Sequence, residues 1–108
     1  MTIAIKYLQN EKGNNINNCV VVFDHDENGN MIYNLFSYCY LISRVTFINN
    51  DHKVERFTDF KSNTTSRHIK AFFEDLDVKM PIKEFYNLEL SKWKWLRSIR
   101  RKILVDLC

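Results

Sequence analysis

Glycine and proline are nearly missing from this chain, with two Gly and one Pro in 108 residues. So small a supply argues against a glycine-rich phosphate loop and against long flexible linkers. Cysteine is scarce as well. Cys19, Cys39 and Cys108 are odd in number and widely spaced, and no CxxC occurs. That pattern speaks against a zinc site or a disulfide framework and for reduced thiols. Cys19 and Cys39 stand in apolar runs and read as small core residues. No apolar run approaches the ~18 residues that a membrane span requires. The opening MTIAIKYLQ lacks the apolar core and the small-residue cleavage site of a secretory signal. The expectation is a cytoplasmic protein with no membrane partner.

Apolar and aromatic residues are well represented. Hydrophobic residues make up 45% and charged residues 27% of the chain, an ordinary globular balance. Five Tyr, eight Phe and two Trp help a chain of this length to fill one modest core. A single domain over 1–108 is expected. The net charge is only +3, but it is unevenly placed. Residues 1–80 hold nine basic and ten acidic side chains, whereas residues 81–108 hold seven basic and three acidic. Local charge of this kind sets the field that a partner meets.

Ile3, Ile5 and Tyr7 alternate with polar or small residues, which predicts a first strand. The Asn-rich segment 10–18, with Gly13, predicts a turn or loop. Cys19-Val-Val-Val-Phe23 predicts a central strand, although its apolar character could leave an edge open to a second copy. In DHDENGN (24–30), Asn28-Gly29 signals a hairpin, with Met31 to Leu35 pairing back. Phe36 to Asn49 continues extended, with a bend near Ser37. Asn49 to His52 turns, and Lys53 to Phe60 returns, although Val54, Phe57 and Phe60 break alternation and point to a bulge or an early end. Ser62-Asn-Thr-Thr-Ser66 is rich in helix-capping residues, and Ile69, Phe72, Phe73 and Leu76 follow at helical spacing. Pro81 stands just inside a restart. Strands precede helices, so the expected fold is α+β: an antiparallel sheet of four or five strands followed by two or three helices packed on one face.

Residues 91–107 read as a basic amphipathic C-terminal helix. Trp93, Leu96, Ile99, Ile103, Leu104 and Leu107 form one apolar stripe at 3.6-residue spacing. Lys94, Arg97 and Arg101 project away from it, within about one sixth of the circumference. Six of the sixteen basic residues fall between Lys92 and Lys102, with no acidic residue among them. Lys94, Trp95, Arg97, Arg100, Arg101 and Lys102 are the expected partner-binding residues. The cations suit nucleic-acid backbone or an acidic protein surface anchored by Trp95; the same face could also be merely solvated. A second candidate is an anion site at Thr64, Thr65, Ser66, Arg67 and Lys70, where hydroxyls and cations crowd a helix start. Self-capping by the same hydroxyls is the simpler reading.

Catalytic and metal chemistry have little support. His25 and His52 fall in acidic turns and read as solvated loop residues, and DHDENGN lacks the closing Glu of a calcium loop. Ser37, Ser43 and Ser66 lack a nucleophile-elbow context. Cys39 and His68 could meet, but no flanking pattern supports a reactive thiol. Glu55 and Asp59 read as solvent-side residues. No catalytic residue, metal or cofactor is expected.

Leu35-Phe-Ser-Tyr38, Leu41-Ile42 and, further on, Thr64-Thr-Ser-Arg-His-Ile69 resemble a group of small phage and mobile-element proteins of unknown function. These carry an SY strand and a TTSKH or TTSRH helix start, and the resemblance covers roughly residues 18–76. The group has no established catalytic residues. In size and lack of catalytic signs the chain is also similar in kind to anti-CRISPR inhibitors, which bind an effector nuclease stoichiometrically. The resemblance implies a non-catalytic inhibitor that occludes a host defence nuclease or its nucleic-acid complex in the host cytoplasm. The alternative is a small nucleic-acid-binding accessory or regulatory protein using the same helix.

Overall fold

The computed structural model describes residues 4–91. Five strands come first: β1 Ala4–Gln9, β2 Asn15–His25, β3 Met31–Ser37, β4 Tyr40–Ile48 and β5 Asp51–Arg56. Helices α1 Asn63–Leu76 and α2 Ile82–Tyr86 follow. The strands form one antiparallel meander in the order β1-β2-β3-β4-β5. The fold is α+β, with five strands and two helices among the described residues. The strand Cys19–Phe23 is not an edge: β2 is paired on both sides, and the outer strands are β1 and β5.

Two of the connections share one construction. In NEKGN (10–14) and DENGN (26–30) the first residue's backbone N–H donates to the carbonyl of the last, at 2.9 Å in both. The side-chain Oδ1 of Asn10 accepts from the N–H groups of Lys12 and Asn14, and that of Asp26 from those of Asn28 and Asn30. Gly13 and Gly29 each take φ 81 in the fourth position, where an L side chain is strained. Asn30 Nδ2 also donates to Asp26 Oδ2 at 2.9 Å, and this bond, with the backbone bonds from Asn30 and Asn28, holds the Asp26 carboxyl below the usual carboxylate range. The acidic turn thus satisfies itself.

The β3–β4 connection follows other rules. Tyr38 and Cys39 form a two-residue turn with φ 51 and 71, and Ser37 pairs with Tyr40 across it. Positive φ at both central residues is the primed-turn geometry that matches strand twist, normally supplied by Asn-Gly. What the sequence presents as a bend near Ser37 is a full reversal. It also takes Cys39 out of the expected core, and Cys39 is disulfide-bonded, whereas Cys19 is a fully buried free thiol. Beyond the turn Leu35 pairs with Ser43 and Phe36 with Leu41, so Ile42 is an extra residue in β4. This bulge sends Ile42 into one apolar cluster and Leu41 into another.

The helices cover one face of the sheet. Ser62 caps α1, its Oγ accepting from the Thr65 N–H at 3.0 Å. Asp77 closes the helix at φ 56, with its N–H on the Glu74 carbonyl and the Val78 N–H on that of Phe73. Ile69, Phe72 and Phe73 of α1, with Phe85 of α2, pack on Cys19, Val21, Leu35 and Val45. Lys6 of β1 pairs with Asp75 of α1 at the rim. β5 ends at Arg56, ahead of Phe57 and Phe60, as the broken alternation suggests. The expected basic helix, with Lys94, Trp95, Arg97, Arg100, Arg101 and Lys102, lies outside the described residues, apart from Ser91.

Gly29→Ala should destabilise the protein by ~1 kcal/mol through strain at positive φ, since open space surrounds the position. Urea denaturation checks this, and an unchanged midpoint would contradict the turn as described.

Candidate functional site

The β3–β4 turn brings two tyrosines to the end of the sheet that faces the start of α1. The β5–α1 connection brings Phe60 to the same place. Between them lies a cleft of about 460 Å³ walled by Leu41, Ile42, Phe57, Thr58 and Thr65. Tyr38, Tyr40 and Phe60 stand at its mouth, 51%, 63% and 66% exposed. Large aromatic groups so exposed and so close together are uncommon on a water-facing surface unless they contact something. The Tyr86 hydroxyl donates to the Phe60 carbonyl at 2.9 Å and anchors that side of the cleft.

Beneath the mouth, Ser37 Oγ and His68 Nδ1 are 2.7 Å apart. A hydroxyl can donate or accept, so the contact serves either tautomer of the imidazole. Burial holds His68 below its ordinary value of 6.5, and the positive charge of Arg67 acts in the same direction. The ring of Tyr38 lies 6.0 Å from that of His68. A serine beside a histidine is the contact that nucleophilic catalysis uses. Here, however, Ser37 and His68 are only 2% and 3% exposed, and among the described residues no carboxylate orients the imidazole. The geometry suits a polar tie that fixes the end of β3 to α1. The sequence offers Cys39 as a residue that could meet His68, without a flanking pattern to support it; the partner is Ser37, two residues earlier.

One hydroxyl of the expected anion site is engaged by the helix cap. Thr65 is buried, and its hydroxyl accepts from Ser62 Oγ at 3.0 Å. Thr64 and Ser66 are half-buried, while Arg67 and Lys70 are exposed on α1. His25 and His52, expected in turns, are the last residue of β2 and the second of β5 and are exposed there, and among the described residues no three His, Cys, Asp or Glu side chains stand close enough to share a metal ion.

Glu55 corrects the sequence reading. It is no solvent-side residue: its two oxygens take Arg44 Nε at 2.9 Å and Arg44 Nη2 at 2.8 Å, with the two side chains only 9% and 13% accessible. Arg44 also lies 5.3 Å over the ring of Phe57. A forked guanidinium–carboxylate pair fixes geometry strongly when shielded from water. Asp59, by contrast, is exposed, and it accepts from Arg56 Nη1 at 2.8 Å. Arg56 further donates to the carbonyls of Thr58 and Leu88, tying the β5–α1 connection to the segment after α2.

No family model matches the chain, and neither curated proteins nor solved structures give a match.

For His68 the linkage is explicit. Its folded value lies below the unfolded one, so its contribution to stability is complete above about pH 6.5 and is lost as pH falls through the depressed folded value. Urea midpoints measured from about pH 8 down to about pH 5 should decline in the lower half, and His68→Gln should flatten that decline. A profile that the substitution leaves unaltered would contradict the buried neutral imidazole.

Proposed function

We propose that the protein is a non-catalytic binding protein whose positively charged residues 92–108 engage an anionic or acidic partner. The observation that carries this is charge segregation. Residues 1–91 hold ten basic and twelve acidic side chains, whereas residues 92–108 hold six basic and one acidic. In the body, Lys6, Arg44, Arg56 and Lys79 are already engaged by carboxylates. The net positive charge of the chain is therefore concentrated in the tail. The exposed aromatics of the cleft add apolar contact area, since Tyr and Phe dominate interface energetics when desolvated.

In its specific form the proposal is a phage-derived inhibitor that occludes a host defence nuclease. This form rests on the resemblance of Leu35–Ile42 and Thr64–Ile69 to small phage proteins. A basic surface does not mimic DNA, so occlusion would mean gripping an acidic protein patch or the nucleic acid held by the effector.

Charge reversal tests the reading. Arg97→Glu with Arg101→Glu should abolish inhibition and effector binding while leaving the urea midpoint unchanged. A folded double variant that inhibits fully would overturn it. Binding to free DNA or RNA that falls steeply as salt rises would favour the nucleic-acid accessory reading instead.

A further inference from the structure

Tyr38, Tyr40 and Phe60 are more than half exposed around one cleft, yet the backbone that carries them is pinned. The Tyr38 N–H donates to the Asn18 carbonyl at 3.0 Å, and Ser37 pairs with Tyr40 across the turn. The Phe60 N–H donates to Thr58 Oγ1 at 3.0 Å, while the Phe60 carbonyl accepts from the Tyr86 hydroxyl at 2.9 Å. Rings carried on a fixed backbone lose little further freedom when a ligand settles on them. The mouth of the cleft is thus a set of prepositioned aromatic faces.

Cations flank that mouth on both sides. Lys61 follows Phe60 directly and lies 5.2 Å over the Tyr86 ring. Arg67 precedes His68, whose ring is 6.0 Å from that of Tyr38, and its charge acts on that imidazole. Lys61 and Arg67 are both exposed, and neither is paired with a carboxylate among the described residues. No acidic side chain stands among the described lining residues of the cleft. Asp59, on the same connection as Phe60, is taken up by Arg56 at 2.8 Å.

Aromatic faces set between free cations suit a ligand that is planar and apolar at intervals and anionic along its length. A single nucleic-acid strand has this chemistry: its bases stack on aromatic side chains while its phosphates meet the cations. In a duplex the bases already cover one another, so only an unpaired strand offers them. A free nucleotide brings one base to three rings. A protein anchor filling the cleft would bring no regular charge to its two flanks.

We propose that the cleft between Tyr38, Tyr40 and Phe60 is a stacking site for unpaired bases of a single-stranded nucleic acid, with Lys61 and Arg67 on its phosphates. The site goes beyond the charge reading above, because it lies wholly in the body of the protein and uses none of residues 92–108.

Fluorescence anisotropy on the full chain tests this with two labelled probes of equal charge, a short oligodeoxythymidylate and an abasic strand of the same length. Stacking predicts that the abasic strand binds at least about fivefold more weakly. Tyr40→Ala and Phe60→Ala should each weaken the intact strand by a similar factor, leave the abasic strand unchanged and keep the urea midpoint. The Arg97→Glu/Arg101→Glu chain should preserve the ratio between the two strands, whatever it does to their absolute affinities. Failure of the charge reading and failure of the stacking site therefore appear in different numbers. Equal affinity for the two strands overturns the proposal, as does intact-strand binding that neither aromatic substitution alters. Displacement of the strand by thymidine monophosphate at equal nucleotide concentration would make the cleft a mononucleotide site and overturn the strand. Absence of binding to either probe also overturns it and leaves the rings to a protein partner.

Discussion

Burial of β3 and β4 on both faces is the constraint from which the rest of the fold follows. Leu35 and Val45 point into the helix-covered core, while Phe36 and Leu41 point the other way and are almost as dry. Each such side chain contributes about 2 kcal/mol when removed from water, provided that a cover exists on its side. A two-sided sheet also has to fix its register, because a one-residue slip would exchange the two cores. The bulge at Ile42 serves that end. It adds one residue to β4, so that Ile42 reaches the first core and Leu41 the second.

Polar groups inside the second core make register more specific still. Arg44 and Glu55 face each other across β4 and β5 and lock in a fork, and Asn34 Nδ2 donates to the Val22 carbonyl at 3.3 Å. Removing two charges from water is costly, and a shielded pair gains little net stability by itself. Its effect is on alternatives: any shifted pairing leaves both charges buried and unmatched. On the first face the Ser37–His68 contact acts similarly, holding the end of β3 to α1 through a neutral imidazole. The two ties bracket the turn that carries Tyr38 and Tyr40, which is why the aromatic mouth of the cleft sits on a rigid base.

Much of this is legible in the sequence. The β-branched run Cys19–Phe23, the Asn28-Gly29 turn, the Ser62 cap and the spacing of Ile69, Phe72 and Phe73 each carry a local physical signal. The α+β order of strands and helices follows from them. The β3–β4 turn was not legible, because Tyr38-Cys39 offers neither glycine nor asparagine and must be forced into positive φ by the strands on either side. Glu55 reads as a surface residue because a charge in a strand normally faces water, and only its register partner Arg44 reverses that. The Ser37–His68 contact joins residues 31 apart in sequence and has no local signature. The cleft combines both difficulties, since its aromatics come from a disguised turn and from a connection that breaks strand alternation.

The central claim is that the sheet is dry on both sides, and solvent paramagnetic relaxation of the methyl groups tests it most directly. A soluble paramagnetic probe should relax Val22 and Leu41 as weakly as Val21 and Leu35, and all four far less than the half-exposed Ile5 at the sheet edge. Relaxation of Val22 and Leu41 at the level of Ile5 would contradict the account, because it would leave the sheet with one core and an open face.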